Sequence, residues 1–336
     1  MVHVVRFVVV VVALCLPGGA LGRKSPRAAF VGSVFSRRER KSPLASVPFE
    51  VAVACTLPTC LGYWKREWGV SYAYGTAMAW SAAVVLSREL SPLAKWHAFI
   101  HFAYGVRLVA FLGIREMSVQ RFRDMRERIE KKAPEGNRLA RTPFIAGCSL
   151  LYFCMSLPLV ASARGHTTIL TPVFLTAATL GLLVAAVGDF QKSWVKARAG
   201  DTKLVTSGLY RYLRHPNYQG EQLLWFASAM AGISAATPGP LLSTALTYLL
   251  IGLGQIGIHF VLCQATTTLN ARQAVNYQHD PDYQRWTAFK GFEITQRTQD
   301  KGLVEEKKHK NTAWNLTGWN ITEADRDADD DDEYVA

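Results

Sequence analysis

Between residues 208 and 221 the chain reads Gly-Leu-Tyr-Arg-Tyr-Leu-Arg-His-Pro-Asn-Tyr-Gln-Gly-Glu, and a long apolar run follows at once. Arg211, Arg214, His215, Asn217, Tyr218 and Glu221 thus fall within eleven residues. Ionisable groups at the edge of lipid are costly and mark function by default. On a helix, Arg211, Arg214, His215 and Tyr218 recur at spacings of three and four and share a face. Pro216 suits the first turn of a helix, so the helix entering the membrane is expected to begin there. Its free N–H groups make an anion site, and arginine forks match phosphate geometry. The pattern predicts an anionic cofactor or substrate held at a membrane surface. Glu221 lies further in, where it would hold Arg214 or a ligand's amide or hydroxyl.

The elements that must position these residues are apolar helices. Of the 336 residues 49% are hydrophobic, and no charge interrupts 142–163 or, His259 aside, 222–271. One span needs about 20 residues, so the second run holds two, divided at Pro238-Gly239-Pro240. Seven candidate spans follow, at 47–64, 71–86, 96–114, 143–163, 168–188, 219–237 and 241–264. A backbone in lipid must satisfy its own hydrogen bonds, so these are helices. The expected fold is all-α, a polytopic transmembrane helical bundle of about seven spans.

The formal net charge of +12 comes from basic loops. With the seven spans, the basic segments at 115–141, 189–214 and after 264 all lie on one face, as expected of the inner side of a membrane protein. No nucleic-acid motif accompanies the charge, so nucleic acid is not an expected partner. The six cysteines lie in apolar stretches without metal-ligand spacing, so neither a disulfide framework nor a metal site is expected. His166 and His259 read as hydrogen-bonded core histidines. The aromatic residues around Trp225 and Phe226 read as lipid-facing or as packing in the core.

The ends read differently. Residues 1–22 have a basic start, an apolar core and Ala20-Leu21-Gly22, the pattern of a signal peptide. Residues 23–46 are basic, serine-bearing and poor in acids, which is transit-peptide composition. A plastid leader and a basic tail at the endoplasmic reticulum are both compatible with it. Residues 47–295 form the expected membrane domain. Residues 296–336 end in an acidic run and read as a disordered tail, with glycosylation patterns at Asn315 and Asn320 that this topology leaves on the inner side.

The segment Gly208-Leu209-Tyr210-Arg211-Tyr212, followed by Arg214-His215-Pro216-Asn217-Tyr218 and Gly220-Glu221, resembles the hallmark of the steroid 5-alpha-reductase-like superfamily. More narrowly, it is similar to the DUF1295 group. Three other stretches agree: Gly188-Asp189-Phe190-Gln191-Lys192, Tyr104-Gly105-Val106-Arg107-Leu108 with Arg115-Glu116, and Tyr283-Gln284 with Trp286-Thr287. The superfamily includes NADPH-dependent reductases of conjugated double bonds. It also includes isoprenylcysteine carboxyl methyltransferases and phospholipid methyltransferases, so the motif marks a fold with a cytosol-facing cofactor pocket more firmly than a reaction.

Asn217 and the Asp189-x-Gln191-Lys192 element resemble the reductase branch. The prenylcysteine methyltransferases carry a pair of glutamates after the last span, where this chain reads Thr266-Thr267-Thr268-Leu269-Asn270. The resemblance therefore implies an enzyme that delivers a hydride from NADPH to the far carbon of an enone in a hydrophobic lipid or steroid-like molecule entering from the bilayer. It implies Arg211, Arg214 and His215 at the cofactor phosphates, with Lys192 as a further phosphate partner. Asn217, Asp189 and Glu221 would hold ribose or amide groups. The oxygen of the enone gains charge and needs a donor; Tyr218, oriented by Glu116, is the expected one. Two alternatives stay open: a membrane methyltransferase using S-adenosylmethionine, and a non-catalytic scaffold of the same fold. The expected address is an endoplasmic reticulum or plastid membrane.

Overall fold

The computed structural model describes residues 46–287, apart from 133–137, 167, 201 and 237–239. The readings of a signal peptide, a leader, an acidic tail and glycosylation sites lie outside those residues, as does the break at Pro238-Gly239. Among the described residues every regular element is helical. The principal helices are α1 (Val47–Thr59), α2 (Ser71–Leu86), α3 (Pro92–Ser118), α4 (Gln120–Lys132), α5 (Thr142–Arg164), α6 (Leu170–Ala199), α7 (Pro216–Ala235), α8 (Leu241–Tyr277) and α9 (Pro281–Thr287). Each expected span overlaps helix, with the first broken at Cys60 between Val47–Thr59 and Leu61–Trp64. Four helical stretches are long and apolar enough to cross a membrane: Pro92–Ser118, Arg138–Arg164, Leu170–Ala199 and Leu241–Tyr277.

The chain divides into two compact units. Among the described residues the first comprises 46–179 and 225–258, the second 180–224 and 259–287. In the first, α2 packs against α1, α3 and α5. The α2–α3 seam is backbone on backbone, because a Cβ on Gly105 would fall 2.3 Å from the Gly75 carbonyl oxygen. Small residues at such seams are what lets apolar helices attract one another by close packing. Polar glue adds to it: Cys55 Sγ lies 3.3 Å from Ser81 Oγ and 3.6 Å from Ser156 Oγ, joining α1, α2 and α5.

In the second unit the seam lies between α6 and α7. A Cβ on Gly220 would fall 2.5 Å from the Ala185 amide nitrogen and 2.7 Å from the Gly181 carbonyl oxygen. Gly188 meets the Asn217 backbone in the same way, at 2.9 Å from a Cβ on Gly188 to the Asn217 nitrogen. The first turns of α7 are therefore pinned flat against α6, and the residues around Pro216 are held with them.

Two expectations about histidine are corrected. His166 and His259 are exposed rather than core residues. The imidazoles at the core of the first unit are His97 and His101, both fully buried on α3. Trp225 is a core residue, whereas Phe226, next to it, is exposed.

Candidate functional site

The site of the second unit is built by three stretches that are distant in sequence. After α6 the chain turns at Gly200 and reaches Gly208, both in the left-handed region that favours glycine, with φ of 93° and 61°. At Gly208 the chain meets Gln191, whose Oε1 accepts the Leu209 amide at 3.0 Å. Tyr210 follows, with its hydroxyl donating to the Gly188 carbonyl at 3.4 Å. The Tyr210 carbonyl in turn accepts the Trp286 indole N–H at 2.7 Å. Residues 188–192, 208–221 and 283–287 are thereby tied together.

Within that frame lie buried polar groups. Arg214 is 4% exposed, and its guanidinium carbon lies 5.7 Å from the centre of the Trp286 ring. Burial pulls the Arg214 pKa down, while the neighbouring Tyr283 phenol opposes the shift. His215 is also buried, and its Nε2–H donates to Asn270 Oδ1 at 2.7 Å. That bond fixes which ring nitrogen carries the proton. The ring of Tyr218 stands edge-on to His215, with centroids 6.1 Å apart. Lys192, Glu221 and Gln273 are buried in the same unit. Buried polar groups at this density are expensive unless they serve one another or a ligand.

The structure does not place residues 211–218 on one helix. Gly208–Arg211 is a 3-10 turn, residues 212–215 are irregular, and α7 starts at Pro216, where the sequence expected it. The helical spacing of Arg211 and Arg214 therefore gives them no common face. Arg214 turns inward, while Arg211 is exposed and lies 5.9 Å from the centre of the Tyr212 ring. Asp189 and Asn217 are half-buried.

Glu116 belongs to the first unit, in a second charged cluster. It accepts a hydrogen bond from the Tyr72 hydroxyl. Arg126 Nη1 lies 3.7 Å from Glu116 Oε2 and 3.5 Å from Glu67 Oε1. The Arg126 guanidinium also lies 5.0 Å from the centre of the Tyr72 ring and 4.7 Å from that of Phe122. Burial pushes the Glu67 carboxyl up to about 7, against the pull of Arg126. Tyr72 is thus the tyrosine engaged by Glu116, and nothing in the sequence pairs them.

Gln191, Asn270 and the buried histidines carry signals weaker than the arginine motif. Asn270 is one of four amides in the run 222–271, and His97 and His101 sit four apart on one helical face. No metal-ligating cluster occurs among the described residues.

No curated protein and no solved structure matches the chain. Residues 64–288 contain all the stretches that form the site, and they match the family described as "Protein of unknown function (DUF1295)". The chain belongs to the DUF1295 family.

Proposed function

We propose that the second unit binds NADPH and that the protein is a membrane reductase of a C=C bond conjugated to a carbonyl. The substrate is a hydrophobic lipid or steroid-like molecule drawn from the bilayer. The proposal includes seven spans in a steroid 5-alpha-reductase-like arrangement, in an endoplasmic reticulum or plastid membrane. The observation that carries the reading is the buried Arg214 guanidinium lying over Trp286, two residues before the start of α7.

The donor set fits an anionic group. Lys192 and Arg214 are buried cations, and the N-terminus of α7 adds its positive dipole end close to Arg214. Among the described residues of the unit Glu221 is the only buried acid. A phosphate ester offsets that excess of positive charge and matches a guanidinium's planar donor fork.

When bound, the cofactor supplies a hydride. The residues of the chain bind and orient. Arg214 and Lys192 hold phosphate oxygens. His215, fixed by Asn270, presents one defined tautomer. Asn217, Asp189 and Glu221 hold ribose or amide groups, with the exposed Arg211 at the rim. Tyr218 donates to the substrate oxygen that gains charge. Asn270 lies in the stretch where the resembling methyltransferases carry glutamates, and its engagement with His215 supports the reductase reading over the methyltransferase one.

Calorimetric titration of the detergent-purified protein with NADPH, NADH and S-adenosylmethionine tests this reading. NADPH is expected to bind far more tightly than the other two. Heat from S-adenosylmethionine alone overturns the reading in favour of methyl transfer, and no heat from any of them favours a scaffold.

A further inference from the structure

The first unit holds a chain of hydrogen bonds that none of the residues assigned above enters. His97 Nδ1 lies 2.8 Å from Ser162 Oγ, and His97 Nε2 lies 2.8 Å from Ser228 Oγ. Ser228 Oγ lies 2.7 Å from His101 Nε2. Helices α3, α5 and α7 contribute, and all four side chains are buried, with Ser162 the most exposed at 4%. His101 then meets Trp225 edge-on, with ring centroids 5.0 Å apart and planes at 83°. Tyr104 stands against the same indole at 4.8 Å between centroids.

The chain ends on two polar atoms. Among the described residues neither His101 Nδ1 nor Trp225 Nε1 has a hydrogen-bond partner, and both are buried. A buried polar group left unsatisfied costs about 1–3 kcal/mol. Imidazoles inside an apolar bundle are rare and serve a substrate, ion or proton path by default.

The wiring gives His101 two states. A serine hydroxyl has one proton to give, and a neutral imidazole has one donor and one acceptor nitrogen. If His97 Nε2–H donates to Ser228, Ser228 donates to His101 Nε2 and the second proton of the pair sits on His101 Nδ1. If every bond runs the other way, His101 Nε2–H donates to Ser228, Ser228 to His97 Nε2, and His97 Nδ1–H to Ser162. His101 Nδ1 is then an acceptor. Trp225 donates in both states. Two donors grip the lone pairs of a carbonyl oxygen, whereas one donor and one acceptor grip a hydroxyl.

We propose that His101 and Trp225 form the polar end of a binding site for an uncharged, oxygen-bearing apolar molecule, and that the Ser162–His97–Ser228 chain adapts it to either a carbonyl or a hydroxyl. The chain Ser162–His97–Ser228–His101 contains no cationic side chain, and Arg107 meets the cluster over the Tyr104 ring, 5.3 Å from its centre, which separates this ligand from the anion of the second unit. The site needs neither the cofactor nor the reductase reading, and the oxygen it takes is not the one assigned to Tyr218.

The test uses the full chain in detergent without NADPH, with a long-chain methyl ketone labelled with carbon-13 at the carbonyl as the probe. Infrared difference spectra report the carbonyl stretch, which moves to lower frequency when the oxygen accepts hydrogen bonds. The expected result is a saturable, downshifted band that is lost in Trp225→Phe and His101→Phe and competed away by a long-chain primary alcohol. Ser228→Ala is expected to keep ketone binding but to lose at least half of the alcohol competition, because the relay no longer reverses. Circular dichroism and thermal unfolding show which variants are folded, and Trp225→Phe, which keeps an aromatic ring at that position, decides if His101→Phe is not. A band at its position in hydrocarbon solvent overturns the proposal. So does a downshifted band whose position is unmoved in Trp225→Phe, because losing one of two donors must at least reduce the shift.

Discussion

Gln191 and Gly208 occupy one another's space: a Cβ on Gly208 would fall 1.4 Å from Gln191 Nε2, and Gln191 Oε1 holds the next amide, that of Leu209, at 3.0 Å. The left-handed backbone at Gly208, with φ of 61°, is what allows the approach. A side chain at 208 would suffer twice, through strain of about 1–2 kcal/mol and through a lost hydrogen bond of about 1 kcal/mol. Gly208→Ala is expected to destabilise the protein by about 2–3 kcal/mol, and Gln191→Ala by about 1 kcal/mol. Thermal unfolding in detergent checks both, and equal melting temperatures for Gly208→Ala and the natural protein contradict the account.

The seam between α6 and α7 makes a second prediction. With 2.5 Å from a Gly220 Cβ to the Ala185 nitrogen, even alanine must push backbones apart. Overpacking costs about 1–3 kcal/mol in cores where side chains yield, and here the obstacle is main chain. Gly220→Val is expected to cost at least about 3 kcal/mol and to lower cofactor affinity with it, because α7 carries Asn217 and Tyr218. Urea unfolding followed through tryptophan emission measures the loss.

Acid–base behaviour of the first unit gives a third. The Glu67 carboxyl is raised from an ordinary 4.5 to about 7 by burial. A folded state that binds the proton more tightly gains stability where the group is protonated. That contribution is complete below pH 4.5 and is lost as pH rises through about 7. At about 1.4 kcal/mol per unit it amounts to up to about 3 kcal/mol. Glu67→Gln keeps the neutral form at every pH, so its stability is expected to stay level between pH 5 and 8 where the natural protein declines. Parallel curves for the two proteins sink the assignment.

His215 and Asn270 give a fourth. Asn270→Leu removes the acceptor of a buried N–H and is expected to cost about 1–3 kcal/mol. Nitrogen-15 spectra of labelled histidine are expected to show His215 losing its single Nε2-protonated signature in that variant. An unchanged spectrum means that the tautomer is set elsewhere.

How much of this was legible in the sequence depends on the range of the interaction. The start of α7 at Pro216 was legible, since proline at a first turn is a local rule. The seven apolar stretches announced helices because length and composition are local as well. The orientation of Arg211 was not legible: helical periodicity was applied to a segment that folds as a 3-10 turn and a bend, with the Leu209 amide held by a side chain eighteen residues upstream. Tyr72 and Glu116 are 44 residues apart, and His215 and Asn270 are 55 apart. No pattern in the chain specifies such pairings, which arise only when the helices pack. His166 and His259 were misread because an apolar run hides whether a residue faces core or lipid.

The central claim is that the buried Arg214, and not the exposed Arg211, grips the phosphates of NADPH. Equilibrium titration of NADPH against the natural protein, Arg214→Ala and Arg211→Ala tests it most directly. Loss of a buried, charge-assisted contact is expected to weaken binding by about 2–5 kcal/mol for Arg214→Ala. A rim charge is worth about 1 kcal/mol or less, so Arg211→Ala is expected to stay close to the natural protein. Undiminished affinity in a folded Arg214→Ala protein, or a larger loss in Arg211→Ala, contradicts the account.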